Sequence, residues 1–202
     1  YQHDWKLMKT KPQMPLDGTF KKDWKVTSPF GWRMHPIEKI KKHHNGVDLW
    51  GPKAKIWNEA WHDGRVIAAG TSKLKNADGS LGGVGWYVDL RSKINGKWYV
   101  TRYAHMVEGS LRVVKGEKVK AGTKLGIMGN TGASAGRHLH FEICEGKVHR
   151  WTSNGKGFVD PLKFVRATIE QWELEASIKL PTTEDSPVAS TPSHELNSKK
   201  TK

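Results

Sequence analysis

The sequence predicts a mainly β domain, one antiparallel sheet followed by a single C-terminal helix. Three observations carry this expectation. Between residues 26 and 160, short runs rich in β-branched and aromatic residues alternate with glycine turns. An Asn95-Gly96 pair separates two such runs, which is the strongest short hairpin signal. After residue 160 the pattern changes to helical spacing behind a capping aspartate.

The elements follow in order. Residues 1–25 read as an N-terminal extension or linker. Their opening stretch, YQHDWKLMKTKPQMP, has no continuous apolar run and so is not a secretory signal. The chain begins without methionine, as a mature or excised piece does. The domain is assigned to residues 26–180. Its strands are RVIAAG (65–70), GWYVDL (85–90), KWYVTRYAH (97–105), KLGIMG (124–129) and HLHFEIC (138–144), with KLKNADGSLGG (73–83) as an exposed loop. In DPLKFVRATIEQWELEASIKL, Asp160 caps a helix and Pro161 suits its first turn. Leu162, Val165, Ile169, Trp172 and Ala176 then share one face. Residues 181–202 lack aromatics and hold three prolines, so this tail cannot offset its ordering entropy and is expected to be disordered.

Composition narrows the function. A chain of 202 residues builds one sizeable domain, and 36% hydrophobic with 27% charged residues suits a soluble globular protein. No apolar run approaches a bilayer span, so no transmembrane segment is expected. Cys144 is the single cysteine, which excludes an internal disulfide and a cysteine-rich zinc site. The formal charge is +14. Lys199, Lys200 and Lys202 cancel Glu184, Asp185 and Glu195 in the tail, so the excess sits on the body. A body this basic favours a polyanionic partner: nucleic acid, a membrane surface or an anionic cell wall. No zinc finger, ribonucleoprotein aromatic motif or helix-turn-helix pattern is present, and a nucleic-acid binder would leave the histidines unexplained.

The histidines are patterned. Along the strand 138–144, period-two alternation puts His138, His140, Glu142 and Cys144 on one face and Leu139, Phe141 and Ile143 on the other. The apolar face belongs to the core, so two imidazoles project together. In HHNGVD, an extended backbone puts His44 on the face of Asp48 and turns His43 away. His105 ends the strand 97–105, on the face expected for Tyr103 and Thr101. Catalytic zinc needs about three N or O ligands and one open position. His44, Asp48 and one of His138 and His140 would supply them, leaving the other histidines for proton transfer and oxyanion stabilisation. His35, His62 and His149 read as structural or exposed, and Glu142 either supports a neighbouring histidine or has no part in the site.

These pieces, together with TSPFGWRMHP, HNGVDLWGPK, VTRYAHM and VVKGEKVKAGTKLGIMGNTGASAGRHLHFEI in that order, resemble the lysostaphin/LytM-type zinc metallopeptidases. The resemblance runs from about Ser28 to Pro161. It implies a compact antiparallel β fold with a narrow groove holding one zinc ion on His44, Asp48 and His140. It makes His105 and His138 the catalytic histidines and places Arg33 and His35 near the groove, while Arg137, standing where a proline or similar residue is common, departs from the pattern and is expected to put a cation at the groove. The implied activity is endopeptidase cleavage of peptidoglycan stem peptides or cross-links, with anionic wall polymers as further partners and nucleic acid as none. The alternative is an inactive module that binds peptidoglycan or activates another hydrolase. Such a protein acts at the cell wall outside the cytoplasmic membrane, either secreted or virion-associated, as a bacterial wall hydrolase or a phage endolysin. Residues 37–43, IEKIKKH, hold no tyrosine where lysostaphin-like members often carry one. The tryptophan-rich WNEAWHDG and the long 73–84 loop are expected to bear on substrate choice.

Overall fold

The computed structural model of the protein describes residues 10–34 and 39–179. Two long strands, β7 (Trp86–Ile94) and β8 (Lys97–Met106), form the hairpin predicted by Asn95-Gly96. Both turn residues have positive φ, 47° and 80°, the left-handed pair whose twist suits a two-residue hairpin. The sheet extends outward from this hairpin. On one side β8 pairs with β11 (Leu139–Glu145), β11 with β4 (Gly46–Trp50), and β4 with β1 (Lys25–Ser28). On the other, β7 pairs with β6 (Gly64–Thr71) and β6 with β9 (Lys118–Val119), while β12 (Phe158–Val159) joins the far end of β11. Every pairing is antiparallel. Two small ribbons flank the sheet: β2 (Gly31–Met34) with β3 (Lys41–His44), and β5 (Trp57–Glu59) with β10 (Lys124–Ile127).

One face of the sheet carries the core. Leu49, Val88, Leu90, Tyr103, Leu139, Phe141 and Ile143 are fully buried there. Each large apolar side chain so placed stabilises the fold by about 1.5–3 kcal/mol. Trp61 lies at the centre, donating its backbone N–H to Tyr103 Oη at 2.9 Å and its indole N–H to Thr101 Oγ1 at 2.8 Å. The tryptophan-rich segment 57–64 thus supplies a core residue with satisfied polar groups. The helix α1 (Pro161–Lys179) starts where expected: the Lys163 N–H donates to Asp160 Oδ1 at 3.2 Å. Leu162 and Val165 enter the core, and Phe164 stacks on Tyr99 and Trp61. Beyond Trp172 the helix runs largely in solvent, with Leu174 and Ile178 exposed.

The segment assigned to an extension is packed from its first described residues. Leu16 and Trp24 lie in the same core, and Gln13 N–H donates to Trp61 O at 2.8 Å. Glu59 N–H donates to Pro15 O at 2.9 Å. Met14 and Phe20 pack against the same core, and these few apolar residues scattered among prolines and lysines give no strand alternation, which is why a pattern-based reading passes over them. The tail 181–202 lies outside the described residues. Among the described residues no helix is long and apolar enough to cross a membrane.

Candidate metal centre and active site

The opposite face of β11 carries His140 and Glu142, and sheet register brings their partners alongside. His140 stands opposite Asp48 on β4, and Asp48 opposite Ser28 on β1. His44 arrives from the end of β3, buried, its Nδ1–H donating to Pro29 O at 2.8 Å. A carbonyl can only accept, so this bond leaves Nε2 of His44 as a bare lone pair. That atom is 3.1 Å from His140 Nδ1 and 3.2 Å from Asp48 Oδ1, and His140 Nδ1 is 2.8 Å from the same carboxylate oxygen. His140 Nε2–H donates outward to Glu142 Oε1 at 2.9 Å.

Gly46 is the residue that permits this closeness. A Cβ there would stand 2.6 Å from Phe141 O, 2.8 Å from Glu142 Cγ and 3.0 Å from His140 Cε1. The glycine in HHNGVD is therefore required by close approach of β4 to the ligand-bearing strand.

Three acceptor atoms in a triangle about 3 Å on edge repel one another unless a positive charge lies between them. In the metal-free protein a proton on His140 fills this role. Burial opposes the charged imidazole, yet the Glu142 and Asp48 carboxylates raise its pKa to about 10. Burial would likewise raise the Asp48 carboxyl, but the hydrogen bond and charge of His140 hold it well below the usual range. The triangle also matches a tetrahedral divalent ion, since ligand distances of about 2.0–2.2 Å place donors roughly 3.3 Å apart. The donor set, two imidazoles and a carboxylate with outward N–H groups anchored on a carbonyl and a carboxylate, suits a zinc ion. His44, Asp48 and His140 form the candidate metal group among the described residues.

Two further imidazoles border the triangle. His138 donates from Nδ1 to Gly136 O at 2.7 Å, and its Nε2 is 3.5 Å from Asp48 Oδ1. His105 donates from Nδ1 to Thr131 O at 2.7 Å; its ring lies 4.8 Å from that of His138 and 5.9 Å from that of His140. Burial, then the charges of His140 and His138, lower the His105 pKa to about 4, so its Nε2 is a free acceptor at neutral pH.

The face of His105 corrects the sequence expectation. Strand parity assigns it to the face of Tyr103 and Thr101, which is the core. Instead its backbone has φ 60°, a left-handed conformation rare in non-glycine residues, and the β7–β8 register slips in this stretch. The bulge turns the side chain onto the face of His140. Strained backbone at such a position is typical of functional sites.

The groove residues divide. Arg33 on β2 places Nη2 4.0 Å from Asp48 Oδ2. Arg137 donates to the carbonyls of Gly51 at 2.5 Å and Ala54 at 3.4 Å, bracing that loop. His35 lies outside the described residues. His43 turns away as expected, bonding Asn45 Oδ1 at 2.9 Å and stacking edge-on against Phe30 and Trp32. Sequence reasoning missed Thr131, whose carbonyl holds His105, and His149, whose largely enclosed side chain donates to Glu142 Oε2 at 2.7 Å. No spacing rule links either to the site. Beyond Thr131 lies a cavity of about 450 Å³, lined by Thr71, Lys75, Trp86, Glu108 and Asn130 among others.

A β domain with this donor triangle and its flanking imidazoles has the architecture of a metallopeptidase. The chain belongs to peptidase family M23, whose family model matches residues 42–154. It is 34% identical over 121 residues to the peptidoglycan DD-endopeptidase ShyA of Vibrio cholerae serotype O1, covering 59% of this chain and 25% of that protein. It shares the fold of the lysostaphin catalytic domain from Staphylococcus simulans, with a TM-score of 0.55 at 24% identity over 71% of this chain and 92% of that one. A zinc containing peptidase from Vibrio cholerae aligns with a TM-score of 0.50 at 28% identity, covering 74% of this chain and 37% of that one. The chain spans about a quarter of the length of the curated relatives it matches.

Proposed function

We propose that this protein is a zinc-dependent endopeptidase that hydrolyses peptide bonds of bacterial peptidoglycan, with one zinc ion held by His44, Asp48 and His140. The convergence of three acceptor atoms within 2.8–3.2 Å, each backed by an anchored tautomer or a depressed carboxyl, carries this reading. Zinc held by these three side chains would supply Lewis-acid polarisation of a carbonyl and a bound water of lowered pKa. The chain's own residues do the rest. His105, neutral and fixed through Nδ1 on Thr131, takes a proton at Nε2 from the attacking water. His138, fixed through Nδ1 on Gly136, faces the site from the other side and orients the attacking water through Nε2, and His105 then hands the captured proton to the leaving amine. Arg33, beside Asp48, lines the groove wall.

The net charge of +14 holds the enzyme to anionic wall polymers and raises its encounter rate with them. The work is done at the cell wall, outside the cytoplasmic membrane, by a secreted or virion-associated route. The test is zinc content and hydrolysis of purified walls by wild type and His140→Ala. We expect one zinc per wild-type chain with release of peptide fragments, and loss of both in the variant. Lysis retained by His140→Ala would overturn the mechanism, and wild-type protein that binds zinc but releases nothing would point to a binding module.

A further inference from the structure

We propose that His149 is a positioning residue for the metal ligand His140, acting through Glu142. This rests on the zinc reading above. Glu142 is buried, and its two oxygens are divided between two imidazoles: Oε1 accepts from His140 Nε2–H at 2.9 Å, Oε2 from His149 Nε2–H at 2.7 Å. The cross-strand neighbour of Glu142 is turned toward Asp89 and leaves Oε2 to His149, its remaining Nη1 making no hydrogen bond. Arg102 stands opposite Glu142 in the β8–β11 register, but its Nε and Nη2 donate to Asp89 at 2.8 and 2.7 Å, and its guanidinium lies between Tyr87 and Trp151. Among the described residues, His149 is the one partner of Oε2.

His149 gives up a hydrogen bond to stand there. Its side chain is 5% exposed, enclosed edge-on by Trp151 and Phe158, and its Nδ1 is buried without a partner. A histidine serving only to fill space near the surface would turn a ring nitrogen to water. The loop between β11 and β12 that carries it is pinned at several points. Arg150 Nε–H donates to Glu145 O at 2.9 Å, Glu145 N–H to Gly157 O at 2.8 Å, and Asn45 Nδ2–H to Thr152 O at 2.6 Å. The imidazole is thus held at a fixed distance from Glu142. Without it, Oε2 is a buried carboxylate oxygen lacking a donor, and the carboxylate regains one by rotating, which draws Oε1 off His140. The His140 ring is then free to turn, and its Nδ1 leaves the triangle. Buried partners one bond removed from a metal ligand set its tautomer and orientation in this way.

The test measures zinc affinity of the full chain by chelator competition, with the unfolding midpoint of the metal-free protein as control for packing. His149→Phe is expected to weaken zinc binding about 10–100-fold. His149→Gln, whose amide N–H can reach Oε2, is expected to restore most of that loss. In a Glu142→Gln background, which is itself weakened, His149→Phe is expected to add no further loss. Should His149→Phe not fold, His149→Asn, whose amide falls short of Oε2, replaces it under the same criteria. Wild-type zinc affinity in His149→Phe overturns the positioning role, as do equal losses in His149→Phe and His149→Gln that track the metal-free unfolding midpoint. Wild-type protein that binds no zinc refutes the underlying metal reading instead.

Discussion

Gly132→Ala tests whether the orientation of His105 matters, by a change that touches neither the imidazole nor the metal ligands. Gly132 has φ +85°, and a Cβ on it would stand 2.3 Å from Gly85 N and 2.5 Å from Gly83 O, both rigid backbone. Real Cβ contacts do not fall below 3.0 Å, so the 131–133 turn must withdraw from residues 83–85 by about 0.7 Å. Thr131 is the adjoining residue. Its carbonyl receives the His105 ring N–H at 2.7 Å, and its hydroxyl donates to Met106 O at 2.6 Å. A displacement of that size stretches the His105 bond to the edge of the hydrogen-bonding range. Alanine at positive φ adds about 1–2 kcal/mol of backbone strain, and the overpacking about 1–3 kcal/mol. The expected result is a fall in kcat of roughly 10²-fold, the usual effect of misplacing a catalytic group by about 1 Å, with zinc affinity unchanged. The assay is steady-state release of peptides from purified walls, alongside chelator competition and urea unfolding. A destabilised variant with wild-type kcat would refute the claim that Thr131 positions a catalytic His105.

Two further outcomes follow from the buried charges. In the metal-free protein the His140 pKa is raised to about 10, so its stabilisation is fully present below the ordinary histidine pKa near 6.5 and is lost as pH rises through about 10. Zinc must displace that proton, so apparent zinc affinity should strengthen by close to tenfold per unit between about pH 7 and 9. Calorimetry in buffers of different ionisation enthalpy should register proton release, and an affinity flat across that range would contradict the triangle of acceptors. Asp89→Ala leaves the buried guanidinium of Arg102 without its carboxylate and should cost about 3–5 kcal/mol of stability in urea unfolding. A loss below about 1 kcal/mol would show that the pair is offset by Tyr87 and Trp151 alone.

What the sequence determined was whatever depends on neighbours along the chain. Period-two alternation alone separated His138, His140 and Glu142 from Leu139, Phe141 and Ile143, because the pleat fixes the direction of each side chain relative to the next. The same parity chose His44 over His43, and the Asn95-Gly96 turn and the Asp160 cap marked a hairpin and a helix start. Tertiary structure decided the rest. His105 left the face that alternation gives it because a left-handed residue and a register slip reversed it, and nothing in Tyr-Ala-His signals that reversal. Leu16 and Trp24, with Met14 and Phe20 against them, joined the core from a stretch that reads as a linker. His149 reached Glu142 through a pinned loop, and Arg102, which stands opposite both Asp89 and Glu142, paired with Asp89. The physical reason is common to these cases. Local sterics act over a few bonds and are written in residue order, whereas a metal triangle and its supports depend on which distant strands share a register and how tightly their backbones approach.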